Sequence, residues 1–108
     1  MSEFMGNLRR TDYCGTLRAE SAGREVVVTG WVQRRRNLGS LIFVDLRDRS
    51  GLLQIVFDDT TSEEVFKKAE TLRSEYVVAV RGKVRERQSK PDKIATGDVE
   101  VLADELRI

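Results

Sequence analysis

The chain predicts an all-β domain with one helix, a five-stranded Greek-key barrel preceded by a short N-terminal extension. Three observations carry that expectation. Apolar and polar residues alternate at strand period through five segments from position 25 onward. Turn signals separate the first three segments, Asn37-Leu38-Gly39-Ser40 and Asp48-Arg49-Ser50-Gly51. One helix-period stretch follows the third, opened by Thr61-Ser62-Glu63-Glu64 in the form of a capping box.

The first strand, 25–36, places Val26, Val28 and Val32 on one face. Gly30 interrupts it where a bulge is expected, which would shift the facing of Arg34 and Arg36. The second, 41–48, sets Ile42, Val44 and Leu46 inward and Phe43, Asp45 and Arg47 outward. The third, 52–57, has a polar Gln54 between Leu53 and Ile55. A helix over 62–74 follows, with Thr61 as its cap, Glu64 reaching back, and Val65, Phe66, Ala69 and Leu72 on its apolar face. The fourth strand, 76–87, turns Tyr76, Val78, Val80 and Val84 inward. After a polar loop, 88–95, holding the only proline, a short fifth strand at 98–102 buries Val99 and Val101 and leaves Glu100 outward. Residues 5–24, with Asp12-Tyr13-Cys14-Gly15 and a weakly helical 16–22, form the extension across the barrel.

Three meander strands, a helix and two more strands give the order of an OB-fold, in which the helix plugs one end of the barrel. An SH3-like barrel would lack that helix, and a ferredoxin-like fold would need one after its first strand.

At 108 residues, 40% hydrophobic and 34% charged, the chain is one globular domain with a modest core. A net charge of +1 requires any nucleic-acid site to be a local patch. The single Cys14 excludes an intrachain disulfide and fits a reducing, cytoplasmic location. No apolar run reaches membrane-spanning length, so no membrane partner is expected. Residues 1–4 read as a cloning remnant before a native start at Met5, the barrel occupies 25–108, and the ending at Leu106-Arg107-Ile108 reads as an excision from a larger protein.

No catalytic, cofactor-binding or metal-ligating residues are expected. Histidine is absent, and Cys14 has no partner in a nucleophile motif. Asp58-Asp59 and Glu63-Glu64 precede or begin a helix, where negative charge already has a structural reason. Asp45 with Asp48 is a solvated strand pattern, and the glycines form no phosphate loop. The chain binds something rather than transforming it.

OB barrels hold ligands across their second and third strands, framed by the loops joining strands one to two and four to five. Arg34 and Arg36, within the run Arg34-Arg35-Arg36, approach the first loop, and Phe43 and Arg47 lie outward on the second strand. An aromatic ring beside guanidinium groups suits an unpaired base and its phosphates. Gln54 and Glu100 suit base edges. The plainer readings are a Phe43 that caps the core edge, arginines that solvate a hairpin, and Gln54 as a surface amide.

Tyr13-Cys14-Gly15, Gly30-Trp31-Val32, Arg34-Arg35-Arg36-Asn37-Leu38-Gly39-Ser40-Leu41-Ile42-Phe43-Val44-Asp45-Leu46-Arg47-Asp48 and Ala95-Thr96-Gly97-Asp98-Val99-Glu100-Val101 resemble bacterial aspartyl-tRNA synthetases. The resemblance runs from Met5 onward and corresponds to that family's N-terminal anticodon-binding domain. It implies that Phe43 stacks on the central uridine of the aspartate tRNA's anticodon. It also implies that Gln54 and Glu100 bond base edges there and that Arg36 contacts the loop. The short loop 88–95 lacks the asparagines of many relatives, so no contact carries over to it; its Lys90 and Lys93 suit phosphate, but lysines in a loop are usually just solvated. The resemblance further implies a homodimeric cytoplasmic parent whose separate catalytic domain uses ATP and Mg²⁺; this chain needs no cofactor, and its own oligomeric state stays open. Asparaginyl- and lysyl-tRNA synthetase modules share part of the pattern. The same residues would also suit an aspartyl enzyme that charges the asparagine tRNA as well, a generic single-strand-binding OB domain or a protein-interaction OB domain.

Overall fold

A computed structural model describes residues 10–87 and 99–108. Strands β1 (Glu25–Leu38), β2 (Leu41–Asp48) and β3 (Gly51–Phe57) form an antiparallel meander. Helix α1 (Glu63–Glu70) follows, then β4 (Val77–Glu86) and β5 (Val99–Arg107). The barrel closes in the order β1-β2-β3-β5-β4, with β4 antiparallel to β1 and β5 parallel to β3. The expected five-stranded Greek-key barrel with a helix between its third and fourth strands is what forms. Val26, Val28, Val32, Ile42, Leu46, Ile55 and Phe57 are fully buried in its core. Val65, Ala69 and Leu72 belong to the same buried cluster and bring the α1 segment onto it.

Several boundaries differ from the sequence expectation, each for a local reason. Helix α1 is capped by Ser62, which accepts from the Val65 amide at 3.3 Å, and not by Thr61. Thr61 is consumed by the turn before it, where its hydroxyl accepts from the Asp58 amide at 3.1 Å. The helix ends at Glu70 rather than at 74, because the chain reverses soon after through Glu75 at φ 76°. That reversal precedes β4, so Tyr76, expected inward, is 39% exposed. β5 runs on to Arg107 because Asp104 is an extra residue opposite the Arg81–Gly82 step, and the period-two pattern slips there from Ala103 to Leu106.

The expected bulge at Gly30 lies instead at Gln33, where the β1–β2 register shifts between Val32 and Arg34. Gly30 stays in register and serves a close approach: a Cβ there would sit 2.4 Å from the Arg47 carbonyl oxygen. The weak helix expected over 16–22 is two 3₁₀ turns, Cys14–Thr16 and Ala19–Ser21. Cys14 and Leu17 are buried, so this segment is part of the core. The Cys14 amide donates to Asp48 Oδ2 at 2.8 Å and the Gly15 amide to Ser50 Oγ at 2.7 Å. The expectations for residues 1–9, the loop 88–95 and Asp98 lie outside the described residues.

Candidate nucleic-acid interface

The bulge at Gln33 decides which arginines face outward. Beyond it, Arg34 lies opposite Asp45, Arg35 opposite Val44 and Arg36 opposite Phe43. Val44 is inward, so Arg34 and Arg36 share the outer face with Phe43 while Arg35 turns away. Arg35 reaches the end of α1, where it donates to the carbonyls of Ala69, at 3.3 Å, and Glu70. The Ala69 carbonyl also accepts from the Leu72 amide at 3.2 Å, and a cation at a helix C-terminus is favoured. The middle arginine of the run is therefore a structural cap.

Register carries the outer face around the barrel. Phe43 lies opposite Val56, Asp45 opposite Gln54, Gln54 beside Glu100 and Glu100 opposite Arg85. Gln54 Nε2 donates to Glu100 Oε1 at 2.8 Å, and Arg85 Nε donates to Glu100 Oε2 at 2.7 Å. Arg36 Nη2 donates to Gln54 Oε1 at 3.3 Å, and its guanidinium carbon lies 5.2 Å from the centroid of the Phe43 ring. Arg85 also stands 3.8 Å from Asp58 Oδ2. Burial is the largest influence on Asp58 and pushes its carboxyl up. Hydrogen bonds from the Thr60 hydroxyl and amide, with the Arg85 charge, outweigh it and hold the group below its ordinary range.

A hollow of about 480 Å³ opens above this network, lined by Arg36, Leu41, Phe43, Gln54, Val56, Arg85, Glu86, Arg87 and Glu100. Its wall is the half-buried Phe43 ring and its rim is cationic. Gln54 and Glu100, expected as surface groups, are only 7% and 8% exposed and form the floor. A buried carboxylate is tolerated there because Arg85 and Gln54 each bind one of its oxygens.

Of the expected residues, the fold brings together Arg36, Phe43, Gln54 and Glu100. Arg34 is on the same face but one row away, beside Asp45. Arg47 lies further along β2 and donates to Gln33 Oε1, outside the hollow. Arg85 and Arg87 belong to the site and were missed. Their signal is the alternation Arg81-Gly82-Lys83-Val84-Arg85-Glu86-Arg87, which sets cations on one face of β4 and its extension. Arg87 Nε is buried and has no hydrogen-bond partner among the described residues, so a donor in this lining remains to be satisfied.

The arrangement has donors, acceptors and a stacking surface. Cys14 is remote from it, and burial first, then the Asp48 carboxylate, pushes its thiol far above the ordinary range. Among the described residues, no group of three or more His, Cys, Asp or Glu could hold a metal ion. No described helix is long and apolar enough to cross a membrane.

A closed five-stranded barrel with cations, one ring and a polar floor across β2, β3 and β5 defines a nucleic-acid-binding module. Residues 26–108 match the tRNA anti-codon family, the OB-fold nucleic acid binding domain, and the chain belongs to it. All of the chain is similar to part of an aspartate–tRNA(Asp/Asn) ligase of Geotalea uraniireducens, 53% identical over 113 residues and 18% of that protein. It is likewise 49% identical over 108 residues to an aspartate–tRNA ligase of Clostridium tetani, again 18% of its length. The chain thus spans about a fifth of the curated relatives it matches. Among solved structures, asparaginyl-tRNA synthetase from Pyrococcus horikoshii superposes with a TM-score of 0.80 at 31% identity, over 94% of this chain and 22% of that one.

Proposed function

We propose that this chain is the anticodon-binding module of an aspartate–tRNA ligase and that its groove holds the anticodon loop of the aspartate tRNA. The observation that carries the reading is the Phe43 ring set against a floor of Gln54 and Glu100 whose side chains are locked by Arg36 and Arg85. Identity of 49–53% to aspartate–tRNA ligases across the whole chain supports it.

The chemistry of uracil suits that floor. Its edge offers one N–H donor between two carbonyl acceptors. A Glu100 oxygen has lone pairs left after its bonds to Gln54 and Arg85, and the Gln54 amide has a second N–H. Cytosine has no N–H at that ring position and would meet the carboxylate with a lone pair. Stacking on Phe43 adds about 1–3 kcal/mol. Arg36, which covers the ring in the free protein, is placed to take a loop phosphate as the base arrives. In this reading the parent is a cytoplasmic homodimer, and ATP, Mg²⁺ and aspartate are handled by its catalytic domain.

The test is fluorescence-anisotropy titration of the chain with two labelled anticodon stem-loops, one carrying GUC and the other with the central uridine changed to adenosine. Clear preference for GUC is expected. Equal binding to both, lost together in salt, would leave a generic single-strand surface and overturn the anticodon reading.

A further inference from the structure

A second surface carries charge and aromatic area that the groove does not use. At the far end of the β1–β2 ribbon, Tyr13 lies between two guanidinium groups. The Arg10 carbon is 4.2 Å and the Arg49 carbon 5.5 Å from its ring centroid. Both arginines donate to the Tyr13 hydroxyl, at 3.1 and 3.3 Å, and neither makes an ion pair among the described residues. With Thr29, Gly30, Trp31 and Val77 they line a hollow of about 480 Å³. Asp48 also borders it, but its oxygens are taken by the Cys14 amide and by the Ser50 amide and hydroxyl. Two cations held on one ring without a direct ion pair repel each other, and an anion between them would relieve that repulsion.

The stretch between the two hollows is also cationic. From the groove the outer face of β1–β2 carries Arg36, then Arg34, then Arg47, and the strand turn leads on to Arg49. Outward residues on a strand recur about every 6.7 Å, so the guanidiniums form a spaced row. Asp45, opposite Arg34, is the one acid on that face where the two strands pair, Trp31 to Leu38 against Leu41 to Arg47. In a chain of net charge +1 this is a concentration of positive charge on one ribbon.

We propose that this row is a track for RNA phosphates leading out of the anticodon groove. In this proposal, Arg10, Tyr13 and Arg49 clamp a phosphate of the anticodon stem. The module would then grip a stem-loop as a unit rather than a loop alone. The proposal rests on the anticodon reading of the groove. An RNA backbone is favoured over an acidic protein because the row is continuous with that groove.

The experiment compares the whole chain with its R10Q/R49Q and Phe43→Ala variants by anisotropy across a salt series. One RNA is the GUC stem-loop and the other is the loop sequence as an unpaired oligonucleotide. For R10Q/R49Q, stem-loop affinity should fall about 10-fold. The slope of log affinity against log salt should become shallower by about 1–2, with the unpaired oligonucleotide unaffected. R10K/R49K, which keeps the charge, should retain most of the affinity. Unchanged stem-loop affinity and slope in R10Q/R49Q, with Phe43→Ala still weakened, would overturn the track and leave the anticodon groove standing; an acidic protein partner would give that result. Equal loss on both RNAs would move the clamp to the loop and overturn the stem assignment. If neither variant changes binding, both readings fall. Arg10 and Arg49 are exposed, and should the double variant melt early, the single R49Q carries the same comparison.

Discussion

Gln54 and Glu100, separated by 46 positions in the chain, meet at 2.8 Å because β3 and β5 pair in parallel with these two residues side by side. Each also holds an arginine, Arg36 on Gln54 Oε1 and Arg85 on Glu100 Oε2. The four side chains form one connected line across four strands, β1, β3, β5 and β4. A ligand entering the hollow therefore meets fixed polar groups, and little ordering remains to be done on binding.

Gln54→Ala should damage binding and folding together. Glu100 would keep Arg85 but lose the partner of its other oxygen, at a stability cost of about 1–3 kcal/mol. Affinity for the GUC stem-loop should fall about 10-fold, a loss on the order of 1.4 kcal/mol, and preference for the central uridine should go with it. A double-mutant cycle of Gln54→Ala with Glu100→Gln should show coupling of about 0.5–3 kcal/mol in thermal or urea unfolding. Strict additivity would mean that the two side chains act independently.

Phe43→Ala should separate binding from folding. The ring is only half-buried on the outer face, so the melting temperature should move little while stem-loop binding weakens by about 1–3 kcal/mol. Arg36→Ala removes a cation from the ring and a donor from Gln54, so it should lower affinity and flatten the salt slope by about 1. A large drop in melting temperature for Phe43→Ala would place the ring among the core side chains.

Most of the fold was legible because barrel strands with one wet face print their period directly into the chain, as in Ile42, Val44 and Leu46 against Phe43, Asp45 and Arg47. What stayed hidden depended on partners distant in sequence. Gly30 looked like a bulge, yet its role is to admit the Arg47 carbonyl, and the bulge falls on an unremarkable Gln33. Arg34, Arg35 and Arg36 look equivalent as a run. Only the register after that bulge sends the middle one to the α1 carbonyls and the outer two to solvent. The burial of Gln54 and Glu100 likewise needs the parallel β3–β5 pairing, which no local pattern announces. Arg85 and Arg87 were readable as alternating cations on the fourth strand, but only once that strand was known to border the groove.

Asp48 should make the anchoring of the N-terminal segment acid-sensitive. Burial is the largest influence on its carboxyl and pushes it up. Hydrogen bonds from the Ser50 hydroxyl and from the Cys14 and Ser50 amides outweigh burial and hold it below the ordinary aspartate range. A carboxyl depressed in the folded state stabilises above its unfolded pKa, and that contribution is lost as pH falls through the folded value. Asp48→Asn should therefore cost about 1 kcal/mol near neutral pH. The gap in melting temperature between it and the wild type should close below about pH 4. A gap that stays constant down to strong acid would show that charge on Asp48 contributes nothing to the anchor.

Gly15→Ala tests the same anchor through space rather than charge. A Cβ at position 15 would lie 2.0 Å from the Ser50 carbonyl oxygen, a backbone atom that cannot swing away. The segment must lift, which breaks the Gly15–Ser50 and Cys14–Asp48 hydrogen bonds and uncovers part of the core. Destabilisation of about 1–3 kcal/mol is expected. Cys14 reports the movement directly, since its thiol is fully buried and held protonated in the intact barrel. A thiol reagent should label the wild type slowly and the variant many-fold faster, while binding of the unpaired loop oligonucleotide at the distant Phe43 groove is retained. Slow labelling in a variant that nonetheless melts early would mean that the strain is taken up by the Ser50 turn and that the segment stays docked.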